Sequence, residues 1–305
     1  MNKVDEALLT EILGENLEKA DAINIRKNGE SIKRSVSPYI DIVSKKDKSG
    51  IDIFVKDNVK FGIVHIPVII TKSGLTDVVY NDFYIGKNSN VIIMAGCGIH
   101  NDLHKDSEHD GIHRFFLSEN SKVKYVEKHY GEGKGDGKRV LNPTTEIYMK
   151  QGSSMTMDSV QIKGVDDTIR ITKAELAENT TLVINEKILT NNAQTAKTEF
   201  NVELNGENAS THVTSRSVAT DDSYQEFKSN INGNTKCYAH VECDAIIKDN
   251  GRVKAIPEIY AGSVDANLIH EAAIGKIAGE QLLKLMSLGL SEKDAEAAII
   301  EGFLK

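Results

Sequence analysis

The segment KCYAHVECDAII, residues 236–247, carries two of the chain's three cysteines, Cys237 and Cys243, with His240 between them. Thiolate and imidazole are both metal ligands, so a local metal site is the first chemistry to test. The segment reads as a β-strand. Strand side chains alternate faces, which turns Cys237 and Cys243 one way and His240, Glu242 and Asp244 the other. Six residues at about 3.3 Å each separate the two sulfurs by roughly 20 Å, too far to grip one ion. No two cysteines anywhere in the chain have the short spacing of a zinc site. Cys243 therefore needs partners from elsewhere, and the next candidate pair downstream is His270-Glu271. A thiolate, an imidazole and a carboxylate brought together suit iron, and thiolate is the usual ligand of iron–sulfur clusters. Spacing alone leaves open the alternative that Cys243 is a small buried hydrophobe.

A second concentration of ligand types is MAGCGIHNDLHKDSEHDGIHRF, with Cys97, His100, His104, His109 and His113 in what reads as one polar, glycine-containing loop. The four histidines are a possible metal site and Cys97 a candidate reactive thiol; surface histidines in a polar loop are the alternative. GEGKGDGKR at 131–139 lacks the GK[ST] of a phosphate-binding loop and reads as a flexible hairpin tip. The G-x-S-x-G elbow of serine hydrolases is missing.

The elements that position these residues fall into three segments. Val4, Leu8, Leu9, Ile12 and Leu17 recur at helical spacing and predict a helix over residues 3–20, in an N-terminal helical segment 1–37. Residues 38–262 are short β-branched runs broken by Gly, Asn, Asp and Ser. A corner motif recurs there, centred on Asn88, Asn120, Gly152, Asn179, Asn208 and Asn250, at intervals of 32, 32, 27, 29 and 42 residues. A period near 30 in an all-β region points to stacked coils, a solenoid, in preference to a sandwich, whose turns recur every 8–12 residues. Asparagine suits such corners because it tolerates left-handed backbone. From residue 263 to 305 the pattern returns to helix: Ile269, Ala273, Ile277 and Leu285 share a face, Gly289 stops the first helix and Ser291 caps a second. Such a helical pair either docks a partner or caps the open end of the solenoid.

A net charge of −8 argues against a nucleic-acid or anionic-membrane surface. No apolar run reaches the roughly 20 residues needed to span a bilayer, and the acidic N-terminus has no signal-peptide pattern, so a cytoplasmic protein is expected. An odd number of cysteines predicts reduced thiols.

The segments ECDAII, IPEI, LIHEAAIGKIAGEQL and LGLSEKDAEAAIIEGFL, with weaker matches at AGCGI and NSKVKYVEKHYGEG, resemble the SufB/SufD family of iron–sulfur cluster assembly proteins over roughly residues 60–305. The resemblance implies a mainly β fold, a right-handed parallel β-helix with a C-terminal helical domain. It implies a scaffold, itself not an enzyme, on which a transient iron–sulfur cluster is built and passed to apo acceptor proteins. ATP hydrolysis then belongs to a SufC-type ABC ATPase docked on the C-terminal helices, with Leu282, Leu285, Leu288, Ile299 and Phe303 as apolar contacts. Cys243 matches the family's scaffold cysteine, His270 and Glu271 its HEA segment, and Cys97 a cysteine that receives sulfur; Cys237 has no counterpart. Cys243 beside Glu271 makes the chain SufB-like. The cysteine cluster that precedes the β body in many bacterial members is missing here, since no cysteine comes before Cys97. A short form of this kind implies a homodimer carrying two ATPases. A SufD-like structural partner without its own cluster is the alternative, and a polysaccharide-active β-helix enzyme is disfavoured by the absence of tryptophan.

Overall fold

The computed structural model describes residues 2–14 and 20–305. Helix α1 (Lys3–Leu13) opens with a reciprocal cap: Asn2 Oδ1 accepts from the Asp5 amide and Asp5 Oδ2 accepts from the Asn2 amide, both at 2.9 Å. Leu17, expected in this helix, lies outside the described residues.

Strands begin earlier than the sequence pattern predicts. β1 (Ala22–Lys27) and β2 (Glu30–Ser35) form an antiparallel hairpin within the segment expected to be helical, and β3 (Ile40–Ser44) and β4 (Gly50–Val55) form another. Parallel coils follow: β5 (Gly62–Ile70), β6 (Thr76–Ile85), β7 (Asn90–His100), β8 (Ser107–Leu117), β9 (Lys122–Glu132), β10 (Arg139–Leu141), β11 (Thr144–Met149), β12 (Ser154–Lys163) and β13 (Asp167–Leu176). They continue through β14 (Thr181–Thr190), β15 (Thr195–Leu204), β16 (Ser210–Ala219), β17 (Tyr224–Gly233), β18 (Tyr238–Ile247), β19 (Arg252–Ala261) and β20 (Asn267–Gly275). The chain alternates between two ten-stranded sheets, one ordered β2-β1-β5-β7-β9-β12-β14-β16-β18-β20 and the other running from β3 to β19. The result is the expected solenoid, a parallel stack of about eight turns with one N-terminal and two C-terminal helices. No helix among the described residues is long and apolar enough to cross a membrane.

The corners explain the repeat. Asn58, Asn88, Asn120, Asn179 and Asn208 have φ between 54° and 62°, and Gly152 takes 72° in the same column. Their side chains bond rung to rung, Asn88 donating to Asn58 at 3.2 Å and Asn208 to Asn179 at 3.1 Å. Asn250 does not belong to this column. The left-handed residue beside it is Asp249, in the opposite corner with Asn192 and Asp221, which is why the last interval of 42 broke the period. In the next coil the Asn208 amide donates to the Lys236 carbonyl at 2.8 Å, fourteen residues before Asn250.

GEGKGDGKR is not a free tip. Its turn lies on the turn of the preceding coil, with Gly135 N donating to Asn101 O at 3.2 Å and Gly137 N to Leu103 O at 3.0 Å. A Cβ at Gly133, Gly135 or Gly137 would sit 2.2–2.4 Å from the carbonyl oxygens of Asn101, Leu103 and Lys105. The glycine spacing therefore serves backbone-on-backbone stacking.

The other large correction is at the C-terminal end. His270 and Glu271 were expected at the start of a helix and lie on β20, which pairs in parallel with β18. Leu268, His270, Ala272 and Ile274 alternate as a strand requires while Ile269, Ala273 and Ile277 keep helical spacing, and the open edge of β18 decides between them. Helix α2 (Gly279–Ser287) starts only after β20, ending at Gly289 with φ 98°, and Ser291 caps α3 (Glu292–Phe303) by accepting from the Asp294 amide.

Helix α1 covers the outer face of the first sheet, where Leu8, Leu9, Ile12 and Leu13 pack against Ile23, Ile25, Ile69 and Tyr130. The glycines of AGCGI make this possible, since a Cβ on Gly98 would stand 3.1 Å from the Leu8 side chain. Cys97, between them, faces inward. Gly98→Ala is expected to lift α1 and destabilise the protein by about 1–3 kcal/mol, seen as an earlier urea midpoint with faster proteolysis before residue 20.

Candidate functional site: two thiols joined by a buried polar seam

Inward side chains of the first sheet stack in register, and two of the stacks are polar. One runs Cys97, His129, Gln161, Ile188, Ser217, Ala245. The other runs Ala95, Glu127, Ser159, Glu186, Ser215, Cys243, Ala272. Cys97 and Cys243, each 1% exposed, stand on strands five rungs apart, from β7 to β18, or roughly 24 Å.

Between them lies a charged network shut away from water. Arg170, projecting from β13 on the facing sheet, is 2% exposed; it bonds Glu127 through Nη1, donates to His129 Nδ1 at 3.2 Å and lies 3.6 Å from Glu186. Glu186 accepts from Thr198 at 3.0 Å and from Ser215 at 2.8 Å, and Ser215 is the register neighbour of Cys243. Tyr125 donates to Glu127 at 2.9 Å and contacts His113 Nδ1 at 2.7 Å. A continuous run of polar groups thus leads from the Cys97 rung to the Cys243 rung.

The electrostatics follow from one guanidinium serving two carboxylates. Burial opposes ionisation of Glu127, but the Arg170 guanidinium, with the His129 ring beside it, outweighs that and holds this carboxyl well below the usual range. At Glu186 burial prevails over Arg170 and the two hydroxyl bonds, and the carboxyl is raised. Burial lowers His129 and pushes His113 down to about 4, so both rings are neutral near pH 7. Burial, with the Glu186 and Asp244 charges, pushes the Cys243 thiol up to about 12; burial likewise raises Cys97 well above a free thiol. Both sulfurs are thiols at neutral pH, and a thiolate forms only when a metal or an acceptor takes the proton.

The sequence-derived site residues divide. Cys237 and Cys243 face inward and His240 outward, as strand alternation requires. His270 shares the inward face with Cys243; its register partner is Val241, two residues from Cys243, and both ring nitrogens lack a hydrogen-bond partner among the described residues. Glu271 points the other way, its Oε2 3.3 Å from His240 Nε2, and His240 meets His212 edge-on at 4.9 Å. Within one chain Cys243 and His270 therefore share the inward face on adjacent strands, offset diagonally by two residues, while Glu271 lies on the outer face. The four histidines do not form one loop. His100 lies on β7 between Glu132 and Asp102, at 2.9 Å from each. His104 is exposed beside Asp136 at 2.5 Å, and His109 and His113 project inward from β8. Among the described residues no three His, Cys, Asp or Glu side chains are arranged to hold a metal ion.

The sequence reading missed Arg170, Glu127 and Glu186, the centre of the seam. The available signal was phase: in VKYVEKHY, DTIRITK and TLVINEKIL these charged residues occupy the alternating positions otherwise held by apolar side chains.

The chain is similar to known proteins over most of its length. A family model for the SUF system FeS cluster assembly SufBD core domain covers residues 83–303. The chain belongs to the SufBD family. An iron–sulfur cluster assembly SufBD family protein of Methanocaldococcus jannaschii is 28% identical over 269 residues, spanning 86% of this chain and 84% of that one. One from Pyrococcus horikoshii is 28% identical over 273 residues, 88% of this chain and 82% of its own. A longer Archaeoglobus fulgidus member is 28% identical over 228 residues, and the match covers only 60% of its length. The family description names iron–sulfur cluster assembly, and of the sequence-derived donors Cys243 and His270 are the two on neighbouring strands that share the inward face. Cys243 alone falls short of the four thiolates common at such clusters.

Proposed function

We propose that this chain is a scaffold subunit on which a nascent iron–sulfur cluster is assembled before transfer to apo acceptor proteins. The observation that carries the reading is the seam: two inward thiols, otherwise sealed in a solenoid core, joined by a run of buried polar and charged groups. In this reading Cys97 is the thiol that receives sulfur and Cys243 the thiol of the assembly site, and the buried polar run of His129, Arg170, Glu186 and Ser215 links their rungs. Cys243 supplies a thiolate and His270 a ring nitrogen, and Glu271 serves from the outer face with His240.

The last coil supports a homodimer. β19 and β20 are the edges of the two sheets, with unpaired backbone, and their inward side chains have no further coil to cover them: Ile259 is 44% exposed, and Leu268 and His270 are half-buried. The helices leave this end open. A second copy placed edge to edge brings a second Cys243 and His270 to the same site, supplying the missing ligands.

A SufC-type ABC ATPase docks on α2 and α3 in this reading. No residue of α2 is buried. The expected contacts Leu282, Leu285, Ile299 and Phe303 are half-buried, while Leu288 is 76% exposed and is joined by Leu283 at 66%, Met286 and Leu290. The exposed docking face thus includes Leu283 and Met286, which the sequence pattern did not single out.

Anaerobic reconstitution with ferrous iron and sulfide tests the proposal. Wild type is expected to develop the broad visible absorption of a cluster, and Cys243→Ser to retain iron at least about tenfold more weakly. A Cys243→Ser protein as brown as wild type removes the site and leaves the structural-partner reading.

A further inference from the structure

At the N-terminal end of the solenoid, between the two antiparallel hairpins, lies a cavity of about 230 Å³ whose lining includes Arg26, Arg34, Lys45 and Lys48 and no acidic residue. Two of these cations are already neutralised. Arg26 donates to both oxygens of Asp77 at 2.8 and 2.6 Å, and Lys45 is paired with Asp52 and with Asp82 at 2.7 Å. Arg34 instead donates to Asn24 Oδ1 and Ser44 Oγ, each at 3.0 Å, and Lys48 lies 4.3 Å above the Tyr80 ring. Neither forms an ion pair among the described residues, so the mouth holds two cationic donors fixed by neutral groups.

The floor of this cavity is the wall of another. Ile66 and Val68 line both the mouth and the small chamber that contains Cys97, His109, Glu127 and His129. Val68 is the register partner of Cys97, one inter-strand step of about 4.8 Å away. Asn81, also on the floor and 4% exposed, contacts His113 Nε2 at 3.3 Å through its amide nitrogen, and its oxygen has no hydrogen-bond partner among the described residues. The polar run that ends at Cys243 therefore begins at the mouth.

We propose that the mouth binds a small anion carrying sulfane sulfur, a low-molecular-weight persulfide or thiosulfate, and admits it to Cys97. The proposal rests on the reading of Cys97 as first sulfur acceptor. In a chain of net charge −8, an unpaired Arg34–Lys48 pair selects for anions at one point of the surface. In the transfer, the Cys97 sulfur bonds to the terminal sulfur of the anion. The anion's S–S bond breaks, its electron pair leaves on a thiolate or on sulfite, and the thiol proton remains on the new Cys97 persulfide. No oxidant is consumed, whereas hydrosulfide would require one.

The test uses the full chain and the variant Arg34→Ala/Lys48→Ala, with unchanged thermal unfolding as the check on folding. Thiosulfate binding by calorimetry is expected to weaken at least about tenfold in the variant, which loses two charge-assisted donors. Persulfide on Cys97, read by mass spectrometry after exposure to thiosulfate or to cysteine persulfide, is expected to fall by a similar factor. Labelling by one donor and not the other identifies the source. Absence of binding to wild type, or equal labelling in the variant, overturns the mouth. Wild type that binds thiosulfate yet leaves Cys97 unlabelled overturns the sulfur role of Cys97 instead.

Discussion

Arg170→Met is expected to destabilise the protein by about 3–5 kcal/mol at pH 7, because it strands buried carboxylates without a counter-charge. Arg170 faces Glu127 and Glu186, all three about 2% exposed or less. Urea unfolding at several pH values checks both the size and the origin of the loss. In the variant, burial raises both glutamates above their unfolded value near 4.3. A carboxyl with a raised folded pKa keeps its proton in the native state, so the stability deficit opens as pH climbs past that unfolded value and closes again below it. Arg170→Met/Glu127→Gln/Glu186→Gln should recover much of the loss at pH 7. A single variant within about 1 kcal/mol of wild type at pH 7 shows that the seam is not an ionised network.

The second large effect concerns assembly. Wild type is expected to sediment as a dimer of the 33.5 kDa chain, and Ile259→Lys/Leu268→Lys as a monomer, with association weakened by more than about a hundredfold. Both positions face inward on the last coil, where Ile259 continues the column of Ile231 and Leu268 that of Ala239. Placing ammonium groups there sets like charges against one another across a two-fold contact while leaving the earlier coils intact. Iron retention measured on the same variant separates assembly from ligation, since Cys243 itself is unchanged. A wild type that sediments as a monomer at micromolar concentration ends the edge-to-edge reading.

The sequence disclosed the solenoid because its corners are chemically specific. Asn88, Asn120, Asn179 and Asn208 stand where the backbone turns left-handed, and a side chain that tolerates that region leaves a periodic mark. Strand alternation likewise placed Cys237, Cys243 and His240 on their correct faces. What stayed hidden depends on pairing between distant segments. Nothing local distinguishes LIHEAAIG as strand from helix until the edge of β18 is present, and the faces of His270 and Glu271 follow from that pairing. Arg170 meets Glu127 across 43 residues, and only the stacking of coils brings them together. The histidines of the Cys97 region looked like one loop because polar residues surround them, yet His109 and His113 belong to a strand whose other face is wet.

The asparagine column also makes the β body a ruler. Every coil adds one fixed increment of about 4.8 Å and restores each side chain to the same face, so the distance between the two sulfurs is quantised. Lengthening a turn leaves it untouched, while gaining or losing one whole coil would change it by a single increment without moving either thiol out of the interior. The separation of the two thiols is thereby a whole number of coils, adjustable by duplication and insensitive to loop drift.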